Sequence, residues 1–226
     1  MSHQRIAIYG GNGFIGSHIA EQLAPLDTCV LCISRTGHKP AHLREQGWSD
    51  QVKWCQGDAA DPDPKLLKSI DVVICCVGSP PLPTVSAKAK QAQIHQNGVT
   101  NATVIQAAGE AGVKKVILVS AQMPAWLAQA GFGYAIGKQM SEAAATEFAA
   151  LSPEHRAVIV RPGVVYGTRH TASGTRIPLR PVFEPLNKII PSQFASVQRL
   201  AERVSEAVFA PATDTEPVTI VETSSL

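Results

Sequence analysis

Short runs of apolar residues recur along the chain, and most of them end at glycine, serine or aspartate. Such runs predict strands at residues 5–10, 29–33, 52–55, 72–77, 115–119 and 157–160, with a last candidate at 218–221. Several of these runs are apolar throughout rather than alternating with polar residues. That pattern is typical of a parallel sheet covered on both faces.

Between these runs, apolar positions follow the period of a helix. In the stretch 14–26, Phe14, Ile15, Ile19 and Leu23 share one side, and polar residues occupy the other. Further helices are predicted at 91–111 and 134–150. Strands that alternate with helices, joined by right-handed crossovers, predict an α/β doubly wound parallel sheet of the Rossmann type.

The composition limits the kinds of partner. Twenty Lys and Arg against 18 Asp and Glu give a net charge of +2, which excludes a dominant nucleic-acid-binding surface. No apolar run approaches the ~20 residues of a membrane-spanning helix. The chain enters its first strand almost at once, so we expect no secretory signal and a cytoplasmic location. The expected partners are a small-molecule substrate and either a second copy of the chain or a membrane-associated complex.

The 226 residues predict one domain, with 168–226 as a short extension on the substrate side. Residues 168–198 are rich in proline and arginine and break the alternation of strands and helices. Their arginines, Arg169, Arg176 and Arg180, suit either an anionic substrate or a solvated loop. The five cysteines are expected to pack as free thiols, and the sequence predicts no metal site.

A glycine-rich turn follows the first strand and opens the first helix. Gly10, Gly13 and Gly16 have the spacing G-x-x-G-x-x-G, which allows a tight turn, close approach of a pyrophosphate and close helix packing. The free N–H groups at the start of the helix favour phosphate oxygens. The predicted contacts of a dinucleotide in this turn are Gly10, Asn12, Gly13, Phe14, Ile15 and Gly16.

The ends of later strands predict the rest of the cofactor site. NAD-preferring sites have an acidic residue after the second strand, where this chain has Ser34 and Arg35. Arg35 can bind a 2′-phosphate, so NADP(H) is predicted, with NAD(H) as the alternative. Asp58 suits either the adenine amino group or a turn. The remaining contacts predicted here are Ala59, Cys76, Val77 and Gly78.

Three further residues suit hydride chemistry at a carbonyl or alcohol. Tyr134 and Lys138 lie one turn apart on a predicted helix, and Ser120 ends the fifth strand. Ligands of open α/β sheets bind at this carboxyl edge. The Lys138 ammonium is expected to lower the pKa of Tyr134, and Ser120 to hold the substrate oxygen.

With these motifs placed, the chain resembles the short-chain dehydrogenases/reductases, in their extended and atypical branches, over residues 4–167. The resemblance implies that Pro162, Gly163 and Val164 line the nicotinamide and that Asn97 supports the active site. Several stretches are most similar to an atypical group that includes the NADPH-binding accessory subunit of respiratory complex I and a coenzyme Q biosynthesis protein. That similarity implies a role around quinones or the respiratory chain.

Three functions follow from these observations. The first is an NADP(H)-dependent oxidoreductase that uses Tyr134 as its acid or base. The second is a non-catalytic module that binds the dinucleotide for assembly or redox sensing and docks through 168–198. The third is an epimerase or dehydratase of the sugar-nucleotide type, which would use the same three residues.

Overall fold

A seven-stranded parallel sheet forms the centre of the molecule, in a computed structural model that describes residues 3–124, 126–170, 176–178, 193–211 and 216–225. The strand order is β11-β6-β5-β4-β1-β2-β3, so the direction of winding reverses between β1 and β4. The strands are β1 (Gln4–Tyr9), β2 (Thr28–Ser34), β3 (Lys53–Gln56), β4 (Val72–Cys75), β5 (Lys115–Val119), β6 (Arg156–Arg161) and β11 (Val218–Glu222). The predicted doubly wound parallel sheet is confirmed.

Helices cover both faces of this sheet. Among the described residues, the α-helices are α1 (Phe14–Leu23), α2 (Pro64–Leu67), α3 (Ala87–Ile94), α4 (Thr100–Glu110), α5 (Trp126–Gln129), α6 (Gly133–Ala150) and α7 (Val197–Phe209). Helices α4 and α6 pack with Ala7 and Tyr9 of β1 on one face, whereas α1 and α7 pack with Ile6 and Ile8 on the other. Alternate side chains of one strand therefore supply both halves of the core.

Short elements complete the described chain. The 3₁₀ turns are Ala41–Leu43, Gly47–Asp50 and Thr223–Ser225, and the small strands are β7 (Val164–Tyr166), β8 (Thr168–His170), β9 (Arg176–Pro178) and β10 (Phe194–Ser196). Strand β10 pairs with β7, and β8 pairs with β9. Parts of the predicted irregular segment are thus small strands, while Arg180 lies outside the described residues. Within the described ranges, no helix is long and apolar enough to cross a membrane.

The predicted single helix at 91–111 is interrupted. A π-helical turn, His95–Val99, separates α3 from α4 and contains the fully buried Asn97. The Thr100 hydroxyl donates to the His95 carbonyl at 2.9 Å. π-Turns of this kind often mark functional sites.

The cysteines agree with the expected core packing. Cys32 and Cys75 are buried in the two halves of the core, and all five cysteines are free thiols.

Helix α7, which the strand pattern did not predict, begins after Ser196, whose hydroxyl accepts a hydrogen bond from the Arg199 amide at 3.1 Å.

Candidate functional site

The glycine turn is too tight for side chains at two positions. Gly10 has φ +84°, and a Cβ atom there would lie 3.1 Å from the carbonyl carbon and oxygen of Cys76. A Cβ atom on Gly16 would lie 2.3 Å from the Gly10 carbonyl oxygen. Gly13 is the N-cap of α1 and has no capping side chain, and the first turn of α1 has no acidic residue. The helix start therefore fits an anion such as a pyrophosphate.

The other predicted residues of the turn connect it to its surroundings. The Asn12 side-chain amide donates to the Thr36 hydroxyl at 3.4 Å, which links the turn to the end of β2. The Phe14 ring lies edge-on to His18, with ring centroids 5.6 Å apart, and Ile15 packs against the core beside α1. The exposed backbone of Gly13 leaves the centre of the turn open.

The predicted adenosine end lies at the carboxyl ends of β2 and β3. The Ser34 carbonyl accepts hydrogen bonds from the Gly37 and Gly57 amides, at 3.2 and 3.0 Å. Arg35 is exposed. One carboxylate oxygen of Asp58 accepts from the Ala60 amide at 2.9 Å, so Asp58 has the turn role that was one of its two interpretations. Its other oxygen makes no hydrogen bond within the described chain, and Ala59 beside it is buried.

Asn97 fixes the loop after β4, which contains the predicted contacts Cys76, Val77 and Gly78. Its amide oxygen accepts from the Ser79 amide at 3.1 Å, and its amide nitrogen donates to the Ser79 hydroxyl and to the Gln93 carbonyl, both at 2.9 Å. Asn101, one turn later, donates to the Val77 carbonyl at 2.8 Å. Asn97 therefore supports the site through the loop, and both its amide oxygen and its amide nitrogen are engaged by loop and helix.

Tyr134 and Lys138 lie together near the start of α6. The Lys138 ammonium lies 5.6 Å from the centroid of the Tyr134 ring and donates to the Val119 carbonyl at 2.9 Å. Lys138 is only 7% exposed, and this burial lowers its pKa to about 8. The end of β5 and the helix that carries the tyrosine are thus joined by one buried amine.

The expected lowering of the Tyr134 pKa is wrong for this structure. Burial raises the pKa of Tyr134 to about 12. The Lys138 ammonium points its hydrogen bond at the Val119 carbonyl instead of the phenol oxygen, so desolvation of the phenolate dominates. Tyr134 is consequently a neutral phenol near pH 7 and can donate a proton.

Ser120 is buried at the end of β5, with 3% of its surface exposed. Its hydroxyl donates to the Glu142 Oε1 atom at 2.5 Å, and its amide donates to the Val160 carbonyl at 2.8 Å. The structure brings Tyr134 and Lys138 together, but no hydrogen bond joins either of these side chains to Ser120. The Ser120 hydroxyl donates instead to the carboxylate of Glu142, a residue that the sequence did not predict as part of the site.

The loop after β6 carries the last predicted cofactor contacts. The Pro162 carbonyl accepts from the Gln122 amide at 2.7 Å, and the Gly163 amide donates to the Thr223 hydroxyl at 2.6 Å. A Cβ atom on Gly163 would lie 2.3 Å from the Gln193 carbonyl oxygen, so this position also requires glycine. Val164 is about half exposed at the start of β7.

A cavity of about 460 Å³ opens beside Lys138. The loop after β5, the face of α6 and the ends of β6 and β11 form its walls. Its lining includes Gln122, Met123, Lys138, Glu142, Arg161 and Glu222. A small molecule bound here would meet mainly polar groups on α6 and apolar groups on the loop.

Helix α6 approaches the π-turn closely because both carry glycine at the contact. A Cβ atom on Gly98 would lie 2.8 Å from the Gly137 Cα atom, and one on Gly137 would lie 3.0 Å from the Asn97 Cβ atom. These contacts bring Tyr134 and Lys138 to the same edge as Asn97. Neither glycine was singled out from the sequence, although both lie within or beside motifs that were.

Gly98→Ala is expected to lower the free energy of unfolding by ~1–3 kcal/mol, because the added methyl meets backbone atoms that cannot move independently. Denaturant unfolding measures this change. Gly109→Ala is the matched control on α4, since its added methyl meets no backbone atom: its nearest contacts are the end of the exposed Leu151 side chain at 2.9 Å and the Phe148 ring at 3.5 Å. Equal destabilisation by both substitutions would contradict the importance of the contact.

The fold and its carboxyl edge define a doubly wound α/β protein of the dinucleotide-binding class. The chain belongs to the NAD dependent epimerase/dehydratase family, whose family model matches residues 6–181. This confirms the predicted resemblance at the level of the family. The narrower similarity to complex I and coenzyme Q proteins stays a prediction.

Individual relatives are distant. The chain is 32% identical over 215 residues to an uncharacterized chloroplastic protein of Arabidopsis thaliana, covering 92% of this chain and 66% of that one. It is 30% identical over 120 residues to human sterol-4-alpha-carboxylate 3-dehydrogenase, decarboxylating, covering 52% and 29%. The crystal structure of UDP-glucuronic acid 4-epimerase from Bacillus cereus, with UDP-glucuronic acid and NAD, superimposes with a TM-score of 0.73 at 18% identity, covering 97% and 77%. This chain is thus shorter than all three.

Proposed function

We propose that this chain is an NADP(H)-dependent oxidoreductase that interconverts a carbonyl and an alcohol, with Tyr134 as the proton donor or acceptor. The observation that carries this proposal is the buried Lys138 ammonium beside the Tyr134 ring, at the same sheet edge as the glycine turn. A buried lysine next to a tyrosine in a cleft is an arrangement suited to acid–base chemistry.

The residues present fit a nicotinamide dinucleotide. The turn at Gly10–Gly16 has no room for a Cβ atom at Gly10 or Gly16, so its backbone stays free of side chains there, and the uncapped start of α1 can receive the pyrophosphate. The residues that would hold the adenosine end are Ser34, Arg35, Asp58 and Ala59. Those that would hold the nicotinamide end are Cys76, Val77, Gly78, Lys138, Pro162, Gly163 and Val164. When bound in its reduced form, the cofactor would supply a hydride to a carbonyl carbon.

The protein supplies the matching proton. Because the pKa of Tyr134 is about 12, its phenol stays protonated near pH 7 and donates its proton to the carbonyl oxygen as the alcohol forms. In the reverse direction the phenolate would accept that proton. The Lys138 ammonium, whose pKa is about 8, would stabilise the phenolate below that pH. Reduction is therefore expected to weaken as Lys138 loses its proton.

The direct test is the oxidation of NADPH, followed by absorbance, in the presence of menadione as a quinone and nitrobenzaldehyde as a small carbonyl. Turnover of either compound that depends on the protein supports the proposal. A protein that binds NADPH tightly but oxidises it with neither compound would favour the non-catalytic binding module.

Arg35→Asp is expected to weaken binding of NADPH by roughly 100-fold, a loss of ~2.7 kcal/mol, and that of NADH much less. The added carboxylate repels a 2′-phosphate, and it can accept a hydrogen bond from a ribose 2′-hydroxyl. Calorimetric titration with both nucleotides measures the two changes, and Arg44→Asp controls for a general change of charge. An equal loss for both nucleotides would show that Arg35 does not meet the 2′-phosphate and would favour NAD, the nucleotide present in the Bacillus cereus epimerase.

A second candidate function is epimerisation or dehydration of a nucleotide sugar. The family match and the similarity to the UDP-glucuronic acid 4-epimerase fold favour it. Such a reaction would need the same Tyr134 and Lys138 but would cause no net oxidation of the cofactor. With the oxidised dinucleotide supplied, conversion of UDP-glucuronic acid without net formation of the reduced dinucleotide, followed by absorbance, would support this candidate over the first.

The finer expectations from the sequence stay predictions. They are a link to quinones, a cytoplasmic location, a role for 168–198 in substrate binding or docking, and assembly as a homodimer or on a membrane-associated complex. The assay with menadione addresses the first of them.

A further inference from the structure

Glu142 connects the helix that carries Tyr134 and Lys138 to the ends of three strands. Its Oε1 atom accepts hydrogen bonds from the Ser120 hydroxyl at 2.5 Å and the Arg161 Nε atom at 3.0 Å. Its Oε2 atom accepts from a terminal guanidinium nitrogen of Arg161 at 2.7 Å. Arg161 also pairs with Glu222 at 3.2 Å. One side chain of α6 is therefore joined directly to β5 and β6, and through Arg161 to β11.

This connection sets the position of one face of the helix. Tyr134, Lys138 and Glu142 are spaced by four residues and lie on successive turns of α6. The bidentate contact with Arg161 fixes both the distance and the direction of the Glu142 carboxylate. Because Glu142 is anchored one turn beyond Lys138, it also limits how far Lys138 and Tyr134 can shift along the sheet edge.

Glu142 also determines what Ser120 can offer to a ligand. A hydroxyl has one hydrogen to donate, and that hydrogen is directed to the carboxylate. Toward a ligand, Ser120 therefore presents only lone pairs and can accept a hydrogen bond from an alcohol. The sequence assigned the binding of the substrate oxygen to Ser120. Since a carbonyl oxygen needs a donor, Tyr134 would bind it instead.

The third effect of Glu142 is electrostatic. The groups near the Lys138 ammonium are the thiols of Cys75 and Cys76, the Tyr134 ring and the Glu142 carboxylate. Burial raises the pKa of both thiols, so they are neutral near pH 7. Glu142 is then the carboxylate of this set that favours the charged form of Lys138, against the dominant effect of burial.

We propose that Glu142 is a positioning residue of this site. It accepts the Ser120 hydroxyl hydrogen, which leaves Ser120 as a hydrogen-bond acceptor toward a ligand, and it fixes Lys138 and Tyr134 against the ends of β5 and β6. The catalytic part of this inference rests on the proposed oxidoreductase function. The arrangement of Glu142 and Lys138 does not depend on that function.

The variants are Glu142→Gln, Ser120→Ala and their combination. Glu147→Gln is the matched control, because Glu147 lies on the same helix and is exposed. Glu142→Gln is expected to lower kcat for reduction of menadione by roughly 10–100-fold, with KM and NADPH affinity changed less than about twofold. The alkaline limb of its pH profile should move to lower pH. The double variant should lose less than the product of the two single losses, because the two residues act through one hydrogen bond.

A second measurement needs no substrate. The ¹³C signal of the Lys138 Cε atom, assigned by its absence in Lys138→Met, reports the protonation of this amine as pH is raised. The pH at the midpoint of this titration is expected to be lower in Glu142→Gln and unchanged in Glu147→Gln. A midpoint that does not move in Glu142→Gln, or a folded variant with unchanged kcat and pH profile, would overturn the inference. Absence of turnover in the unmodified protein, with the expected midpoint shift, would contradict the oxidoreductase function and leave the positioning role standing.

Discussion

Replacing Tyr134 with phenylalanine is expected to reduce turnover by ~10²–10⁴-fold while NADPH affinity changes less than about twofold. The substitution removes only the phenol oxygen. The ring can keep its place near Lys138, whose ammonium lies 5.6 Å from the ring centroid and donates to the Val119 carbonyl. Steady-state kinetics with menadione and nitrobenzaldehyde, together with calorimetric titration of NADPH, measure the two quantities separately.

Tyr9→Phe is the control for this substitution. The Tyr9 hydroxyl is buried in the core beneath the sheet edge and has no hydrogen-bond partner within the described residues. Its removal should leave turnover unchanged. Full activity in Tyr134→Phe would show that the proton comes from another group and that the catalytic assignment is wrong.

Gly16→Ala is expected to abolish measurable NADPH binding and to lower the free energy of unfolding by ~1–3 kcal/mol. The added methyl would lie 2.3 Å from the Gly10 carbonyl oxygen and 2.9 Å from the Gly11 Cα atom. Both are backbone atoms of the turn, so the turn and the start of α1 must separate. That movement would remove the N–H groups from the position where a pyrophosphate would bind.

The matched control is Gly47→Ala, because a Cβ atom at Gly47 meets no other atom within 4 Å. The NADPH affinity of this variant, measured by calorimetry, and its free energy of unfolding, measured with denaturant, should be close to those of the unmodified protein. Gly16→Ala with normal NADPH affinity would mean that the dinucleotide is not held by this turn.

The sequence was sufficient for the features that depend on local pattern. The strand at Lys115–Val119 was predicted with the observed bounds, since four consecutive apolar residues follow Lys115 and a turn signal follows them. The glycine turn was predicted because three glycines at fixed spacing have a direct steric reason, now visible at Gly10 and Gly16. The pairing of Tyr134 and Lys138 followed from their spacing on one helix.

Features that depend on contacts between distant residues were not predictable in the same way. The π-turn at His95–Val99 accompanies the packing of Gly98 on Gly137, 39 positions later in the chain. The Ser120–Glu142 hydrogen bond joins residues 22 apart, and Glu142–Arg161 joins residues 19 apart. Glu142 follows Lys138 by one helical turn, which was a usable signal. Its partner could only be found once β5 and β6 were placed side by side.

The pKa of Tyr134 shows the same limit. The sequence placed a lysine one turn away and therefore predicted a lowered pKa. In the structure, burial of the phenol raises its pKa to about 12, and the Lys138 ammonium donates to the Val119 carbonyl. Of the two roles predicted from the sequence, acid or base, a raised pKa favours the acid, which would protonate a carbonyl oxygen.

The reaction proposed for this sheet edge is hydride transfer between NADPH and a carbonyl carbon. The most direct test is to supply NADPH carrying deuterium at its transferable position, with nitrobenzaldehyde as acceptor, and to analyse the product by mass spectrometry. The expected product is an alcohol that carries one deuterium on the former carbonyl carbon, formed at least ~100-fold more slowly by Tyr134→Phe than by the unmodified protein. An alcohol without deuterium, or equal rates of formation of the labelled alcohol by the two proteins, would contradict hydride transfer with Tyr134 as the proton donor.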